Sequence, residues 1–147
     1  MEIRLFNTQG RREEALTRRE DPVRLYTCGP TVYNYLHVGN YRTYVFEDVL
    51  KRALKFLGYR VRHVMNITDV GHLTSQADEG EDKMAVAARR EGKTAAAIAQ
   101  FYEATFLEDI RRLNVDFQPS SDAAILGDPS ASGDVLCRAT AHVPEQI

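Results

Sequence analysis

Cys28 and His37 are the two residues whose types and spacing suit chemistry best. Both lie in the stretch YTCGPTVYNYLHVGN, residues 26–40. Cys28 ends a short apolar run, Val23–Cys28, that predicts a strand, and His37 opens a long amphipathic helix with the sequence HVGN. A thiol at the carboxyl end of a strand can hold a metal ion, and an imidazole at a helix N-terminus lies where the helix dipole and its free N–H groups attract phosphate. The pattern predicts a metal-held substrate beside a bound phosphate.

A strand–helix–strand unit must position these residues. Between Gly39 and Leu57 the apolar residues recur at helical spacing and predict one face of an α-helix, and Gly58 follows as a C-terminal stop. The positions of that face are Phe46, Val49, Leu50, Ala53, Leu54 and Leu57. Residues 59–68 alternate as a second strand, with Val61, His63, Met65 and Ile67 on one side. The sequence therefore predicts an α/β fold with a parallel βαβ unit and a right-handed crossover, whose ligand binds at the strand carboxyl ends.

The remaining sequence predicts further helices and two irregular segments. Residues 69–81 are polar and form an inserted loop, and a helix follows at 82–90. Thr94 caps another helix, and residues 118–137, rich in Pro and Gly, are interpreted as an irregular or disordered loop. That helix is predicted to turn inward Ile98, Phe101, Tyr102, Thr105, Ile110 and Leu113. Residues 142–147 look like the first turn of a helix, so the chain is expected to be a fragment.

Composition bounds the function classes. The 147 residues are 44% hydrophobic and 27% charged, with a net charge of −2, which gives no electrostatic basis for sequence-independent nucleic-acid binding. No apolar run approaches the ~18 residues of a transmembrane helix, and the N-terminus has no signal-peptide core. A cytoplasmic protein without a membrane partner is expected, with Cys28 and Cys137 as reduced thiols.

These motifs together resemble the N-terminal part of the cysteinyl-tRNA synthetases, a family of class I aminoacyl-tRNA synthetases. The collinear matching stretches are LFNT (5–8), YTCGPTVYNYLHVGN (26–40), FLGYRV (56–61), NITDV (66–70), DKM (82–84), LNVDF (113–117) and RATAHVPEQI (138–147). The resemblance implies that residues 1–147 form an incomplete N-terminal portion of the catalytic domain. Its fold would be a Rossmann-like (HUP-type) nucleotide-binding half, followed by helices and an irregular C-terminal segment.

The resemblance also implies roles for individual residues. HVGN matches the family's HIGH signature, so His37 and Asn40 would be catalytic and would bind ATP together with Gly39. Cys28 is similar to the first ligand of a Zn²⁺ ion that holds the substrate thiolate and rejects serine, as zinc's preference for sulfur allows. The segments that contain Gly29, Thr31, Thr68 and Asp69 are similar to those lining the family's amino-acid pocket.

The implied activity is the joining of L-cysteine and ATP, with Mg²⁺, to cysteinyl-adenylate, and transfer of the cysteinyl group to tRNA(Cys). The complete enzyme is expected to be a monomer. The sequence differs from the family pattern at Asn40, in the longer loop after NITDV, and in lacking a KMSKS-like loop and the other zinc ligands. The isolated chain is therefore expected to be inactive alone.

Two other functions remain open. One is a related ligase that transfers activated cysteine to an amino-sugar pseudodisaccharide, and the other is a non-catalytic nucleotide-binding remnant. Among the remaining candidates, His63 is interpreted as a strand side chain, Cys137 as a free thiol and His142 as a helix-start residue, while the role of His72 stays undecided.

Overall fold

The computed structural model describes residues 3–17, 21–70, 88–90, 92–120, 128 and 130–141. Its elements are β1 (Arg4–Asn7), β2 (Arg12–Ala15), β3 (Val23–Thr27), α1 (Val38–Phe56), β4 (Val61–Ile67), α2 (Ala95–Arg112), β5 (Gly133–Arg138) and a 3₁₀ turn (Ala139–Ala141). The first two strands pair as an antiparallel hairpin. The other three form a parallel sheet in the order β3-β4-β5.

The predicted βαβ unit is confirmed. β3 and β4 pair in parallel, with Val23 opposite Val61 and Thr27 opposite Met65, and α1 connects them and packs against β4. Parallel strands need such a crossover because the chain must return to the same end of the sheet. The carboxyl ends of β3 and β4 therefore share one edge, as the α/β, Rossmann-like prediction requires.

The alternation predicted for the second strand is also confirmed. Every second residue of β4 from Val61 to Ile67 is buried, and the intervening residues are only partly covered. The buried side faces a core shared with α2. The core contains Val32, Tyr44, Met65, Ile67, Ile98, Ala99, Tyr102, Phe106, Ile110 and Phe117.

The ends of α1 agree with the sequence, and its apolar face is only partly buried. Gly58 follows the C-cap with φ of +83°, a conformation that suits glycine. Phe46 and Val49, however, are 69% and 58% exposed. The buried positions of the helix are Tyr44, Glu47, Asp48, Lys51 and Leu54. Of the apolar positions named from the sequence, only Leu54 is among these buried residues. Three of the other four buried side chains, Glu47, Asp48 and Lys51, carry ionisable groups.

Lys51 explains why this charged face is buried. Its Nζ lies 2.6 and 2.8 Å from the two carboxylate oxygens of Asp134 on β5, and it also donates to the carbonyl oxygen of Asp116. The Asp134 carboxylate accepts a further bond from the backbone N–H of Gln118, at 2.8 Å. Asp48 accepts from the backbone N–H of Asp116 at 2.9 Å. A buried charge is tolerated when it is paired and hydrogen-bonded in this way. The network ties α1 to β5 and to the segment after α2.

The helix predicted after Thr94 is confirmed as α2, with the Thr94 hydroxyl oxygen accepting from the backbone N–H of Ala97 at 3.2 Å. Two predicted inward residues, Phe101 and Leu113, are exposed, whereas Phe106 is fully buried although the pattern did not predict it. The buried positions are Ile98, Ala99, Tyr102, Glu103, Phe106 and Ile110.

The interpretation of residues 118–137 as an irregular loop is wrong for its last part. β5 occupies Gly133–Arg138 and pairs in parallel with β4 along its length. Cys137, which was expected in a loop, lies within this strand, and its sulfur forms no disulfide among the described residues. The strand is short and begins with Gly and a buried Asp, so its composition carries little strand signal. Its pairing partner and the Lys51–Asp134 ion pair stabilise it instead.

Some predictions fall outside the described residues. They concern most of the 69–81 loop, including His72, the start of the 82–90 helix, and the 142–147 turn with His142. Residues 88–90 are helical. Among the residues that the structure describes, no helix is both long enough and apolar enough to cross a membrane.

Candidate functional site

Cys28 lies where the β3 strand gains one extra residue relative to β4. Thr27 pairs with Met65 and Thr31 with Thr68, so three residues on the first strand oppose two on the second. An extra residue of this kind interrupts the ladder and re-aims the side chains around it, which is common beside functional sites. The Cys28 side chain is exposed, with its Sγ 3.8 Å from the carbonyl oxygen of Gly29.

Gly29 fits this position because the second strand comes very close. A Cβ at residue 29 would lie 1.9 Å from the carbonyl oxygen of Asn66 and 2.9 Å from Cγ of Met65. The Asn66 side chain accepts a hydrogen bond from the Gly29 N–H at 3.1 Å, and so replaces a ladder bond. Two further bonds at Thr68, to the Pro30 carbonyl oxygen at 3.0 Å and from the Val32 N–H at 3.1 Å, restore the pairing. Hydrogen bonds between the two strands thus hold their ends together.

His37 and Asn40 cap α1 reciprocally. The backbone N–H of Gly39 donates to Nδ1 of His37 at 3.1 Å, and the backbone N–H of His37 donates to Oδ1 of Asn40 at 3.1 Å. This is the arrangement of a capping box, built here from His and Asn. Because Nδ1 accepts, the neutral imidazole carries its proton on Nε2, and because Oδ1 accepts, the Asn40 amide keeps its Nδ2 donors. Each side chain accepts a hydrogen bond from a backbone N–H group, and its own N–H donors stay available for other partners.

The backbone N–H groups of the first turn are largely occupied, contrary to the expectation that they face a phosphate directly. Gly39 donates to the His37 ring, and Asn40 and Tyr41 donate to the His37 carbonyl oxygen at 2.9 and 3.3 Å. The donors that remain for an anion include those of the His37 and Asn40 side chains, placed in the positive field of the helix N-terminus.

Gly39 is required by the cap itself. A Cβ at residue 39 would lie 2.9 Å from Cε1 and 3.0 Å from Nδ1 of His37. These distances are shorter than ordinary contacts between carbon atoms, which are about 3.5–4.0 Å. A side chain at this position would push the imidazole off the Gly39 N–H.

The capped helix end and the strand ends line one cleft of about 360 Å³. Its walls are formed by the connection between β3 and α1 and by the first turns of α1. Of the predicted site residues, Gly29, Thr31, His37 and Asn40 line the cleft. Cys28 and Gly39 adjoin lining residues in the chain, Thr68 pairs with the lining residue Thr31, and Asp69 follows Thr68, but none of the four is part of the lining.

Asp69 lies at the end of β4 and holds the segment that follows β5. Its two carboxylate oxygens accept from the backbone N–H of Thr140 at 3.0 Å and from the Thr140 hydroxyl at 2.5 Å. In the same region Arg138 donates to the carboxylate of Glu103 on α2, with Nε at 2.8 Å from Oε2. These contacts fix the carboxyl ends of β4 and β5 relative to α2.

Tyr44 is a cleft residue that the sequence patterns did not single out. It is 5% exposed, lines the cleft beside Asn40, and follows His37 by seven residues on α1. Burial, and after it the carboxyl of Glu47 and the thiol of Cys28, raises the pKa of Tyr44 well above its ordinary value. The spacing of three and then four residues from His37 to Asn40 to Tyr44 places all three on one face of a helix, and this signal was present in the sequence.

A group of buried polar side chains includes Thr27, the last residue of β3 and the residue before Cys28. The Thr27 Oγ1 is 2.8 Å from Nε2 of His63, and the carboxyl of Glu47 is buried nearby. Burial raises the pKa of Glu47, and burial together with the nearby Lys51 lowers the pKa of His63 to about 4. Oε2 of Glu47 and Nδ1 of His63 have no hydrogen-bond partner among the described residues. His63 is therefore the neutral, buried strand side chain that the sequence predicted.

The metal-binding prediction can be compared with the donors present. Among the residues that the structure describes, no group of three or more His, Cys, Asp or Glu side chains could hold a metal ion. Cys28 supplies one exposed thiol, and a structural or catalytic zinc site takes at least three protein ligands. The described residues alone do not fit a zinc ion.

A parallel βαβ half whose strand ends and helix N-terminus line one cleft defines a nucleotide-binding domain of the mononucleotide type. The chain belongs to the family described as tRNA synthetases class I (C), catalytic domain, whose model matches residues 15–125. This is the family that the motifs resemble, so the sequence-based recognition is confirmed.

Individual relatives agree with this family. The chain is 47% identical over 148 residues to the cysteine–tRNA ligase of Treponema denticola, covering 100% of this chain and 27% of that protein. It is 52% identical over 115 residues to the cysteine–tRNA ligase of Borreliella burgdorferi, covering 78% and 24%. It is 49% identical over 148 residues to cysteine–tRNA ligase 1 of Burkholderia lata, covering 100% and 28%. The chain thus spans about a quarter of the length of these relatives.

Proposed function

We propose that the whole protein to which this chain corresponds is a cysteine–tRNA ligase. It activates L-cysteine with ATP and Mg²⁺ to cysteinyl-adenylate, releases pyrophosphate, and transfers the cysteinyl group to the terminal ribose of tRNA(Cys). Membership of the synthetase family and the names of the relatives support this proposal. We place the activity in the cytoplasm, where charged tRNA is used for translation.

The observation that carries the proposal is the reciprocal cap of His37 and Asn40. It supplies two neutral side-chain donors, Nε2–H and Nδ2–H, at a helix N-terminus that lines the cleft. Oxygens of a triphosphate accept hydrogen bonds and carry negative charge, so they complement both the donors and the helix dipole. When the α-phosphate is attacked by the amino-acid carboxylate, donors that are already oriented stabilise the developing charge without further reorganisation.

The amino acid is assigned to the strand-end side of the cleft. Gly29 and Thr31 line it, and Thr68 pairs directly with Thr31. We propose that these residues present backbone and hydroxyl groups to the amino and carboxyl groups of cysteine. The Asp69 carboxylate is already engaged by Thr140, so we assign it to holding that segment at the rim of the pocket.

Cys28 is proposed as one ligand of a zinc ion in the whole protein. Its thiol is exposed at the strand end, beside the cleft, and zinc would bind a substrate thiolate far better than the hydroxyl of serine. Since the described residues provide no second or third ligand, no step of the reaction is derived from the metal.

Cysteine-dependent exchange between ATP and labelled pyrophosphate tests the first step in the whole protein. We expect exchange with L-cysteine and not with L-serine, and a loss of about 10²–10³ in rate for His37→Ala, which removes one oriented donor. Asn34→Ala is the matched control, because Asn34 lines the cleft but takes no part in the cap. It should retain most of the activity.

The acceptor of the second step distinguishes the proposed enzyme from the amino-sugar ligase. Transfer of labelled cysteine to tRNA(Cys), and not to an amino-sugar pseudodisaccharide, is the expected result. ATP binding without any cysteine-dependent exchange would instead support the non-catalytic nucleotide-binding function and refute the proposal.

A further inference from the structure

Three polar side chains form a row along the cleft face of α1. His37, Asn40 and Tyr44 are separated by three and four residues, and all three line the cleft. With a rise of about 1.5 Å per residue, the row extends roughly 10 Å along the helix axis. His37 and Asn40 have hydrogen-bond partners in the helix cap and a proposed role in binding phosphate. No role has yet been proposed for Tyr44.

The ring of Tyr44 is fixed while its hydroxyl is available. The ring makes edge-to-face contacts with Phe106 and Tyr41, at centroid distances of 5.0 and 6.2 Å, and only 5% of the residue is exposed. Such contacts restrict the ring to one orientation. Tyr41, one turn earlier, donates its hydroxyl to the carboxylate of Asp109 at 2.5 Å. Tyr44 donates no comparable bond to the described residues.

The Tyr44 hydroxyl is not among the buried polar atoms that lack a partner, so it reaches the cleft that this residue lines and can donate to a ligand there. A phenol has an ordinary pKa of about 10 and is therefore a protonated donor at neutral pH. The end of the row at which Tyr44 lies identifies the ligand atom. His37 and Asn40 lie at the helix N-terminus, on the phosphate side, whereas Tyr44 lies at the other end of the row and lines the cleft together with Gly29 and Thr31 from the strand end.

We infer that the Tyr44 hydroxyl donates a hydrogen bond to an acceptor atom in the amino-acid part of the ligand. Tyr44 is thereby a positioning and specificity residue on the wall opposite the strand ends. The inference rests on the proposed function, because it takes the ligand to be an amino acid joined to a nucleotide. It adds a third donor to the row, and the three donors together span the linkage between phosphate and amino acid.

The test compares two tyrosines with two ligands. Tyr44→Phe removes only the hydroxyl and retains the ring contacts, and Tyr41→Phe is the matched control on the same helix. Binding of ATP with Mg²⁺ and of 5′-O-[N-(L-cysteinyl)sulfamoyl]adenosine, a non-hydrolysable adenylate analogue, is measured by ligand-observed NMR, and thermal unfolding is followed by circular dichroism.

Tyr44→Phe is expected to weaken binding of the analogue about three- to tenfold, as the loss of one hydrogen bond implies, and to leave ATP binding and the unfolding temperature unchanged. Tyr41→Phe should lower the unfolding temperature and leave both affinities unchanged. Unchanged analogue binding by Tyr44→Phe, or an equal loss for both ligands, overturns the inference and leaves the proposed function standing. The measurements are made on the whole protein, and if the unsubstituted whole protein binds neither ligand, the proposed function fails and the inference with it.

Discussion

One added methyl group at residue 39 should separate ligand binding from stability. In Gly39→Ala the new Cβ would lie 2.9 and 3.0 Å from two atoms of the His37 ring, so the ring must move by roughly half an ångström or more. That movement breaks the 3.1 Å bond from the Gly39 N–H to Nδ1. Loss of a cap costs about 1 kcal/mol, while replacing Gly by Ala in a helix gains up to about 1 kcal/mol. The free energy of unfolding should therefore change little.

Binding of ATP should change much more than stability. A hydrogen bond to a charged phosphate contributes about 1.5–3 kcal/mol, so turning the Nε2–H of His37 away from the cleft should weaken ATP binding by about tenfold or more. The measurements are ligand-observed NMR for ATP with Mg²⁺ and urea unfolding for stability. Val38→Ala is the matched control, since Val38 adjoins Gly39 but is 85% exposed and does not line the cleft. In a His37→Ala background the Gly39→Ala change should have no further effect on ATP. If Gly39→Ala binds ATP as the parent chain does, the imidazole is not the donor that the cap positions, and the reasoning is refuted.

Three further predictions concern charged and titratable residues. Lys51→Met should lower the free energy of unfolding, measured in urea, by about 3–5 kcal/mol, because it leaves the buried Asp134 carboxylate on β5 unpaired. Lys55→Met, at a half-exposed ion pair one turn later, should cost less than about 1 kcal/mol. Equal losses would contradict the network described for α1. Burial lowers the pKa of His63 from 6.5 to about 4, so as the pH falls the unfolded chain takes up that proton before the folded chain does. The free energy of unfolding should therefore fall by up to about 3 kcal/mol between pH 6.5 and pH 4. His63→Gln should flatten this slope in urea titrations at different pH values. In the whole protein, Cys28→Ser should reduce zinc content and cysteine-dependent exchange together, while Cys137→Ser, in β5, should change neither; full zinc occupancy in Cys28→Ser would exclude that thiol as a ligand.

Local patterns were enough to predict the βαβ unit. Period-two alternation in β4, helical spacing after Gly39 and a glycine at residue 58 are all short-range signals, and each agrees with the structure. The burial of α1 could not be predicted in the same way. The partner that neutralises Lys51 lies 83 residues further along the chain, and no periodicity of the helix alone reveals it. The apolar spacing therefore identified the helix but not the charged side chains that it buries.

β5 was missed for a related reason. Its sequence, GDVLCR, has one charged residue at each end of a short apolar centre, and it follows a segment rich in Pro and Gly. The strand exists because β4 offers a parallel edge and because Asp134 meets Lys51 there. Both are tertiary contacts, which override weak local propensity.

The candidate site was easier to predict than the core because its chemistry is concentrated in one segment. Cys28, His37 and Asn40 were recognisable from residue types and spacing, and HVGN has the three-residue separation of a capping box. The sequence could not predict which side-chain atoms accept from the backbone and which donors stay available. That depends on which nitrogen of the His37 ring faces the backbone. Tyr44 was missed because aromatic residues at helical spacing usually indicate core packing.

The structure explains why the segment between β3 and α1 has its particular small and polar residues. Gly29 and Gly39 each occupy a point where a side chain would collide, with the Asn66 carbonyl oxygen in one case and the His37 ring in the other. At both points a neighbouring side chain bonds to the backbone, Asn66 to the Gly29 N–H and His37 to the Gly39 N–H. The backbone N–H groups of these two glycines are thus satisfied internally, and the side chains of His37 and Asn40 keep donors at the helix end of the cleft. A cleft with this arrangement favours a ligand rich in acceptor oxygens and selects against one whose polar groups are mainly donors. A nucleoside triphosphate is such an acceptor-rich ligand, and so is the adenylate that the proposed reaction forms from it.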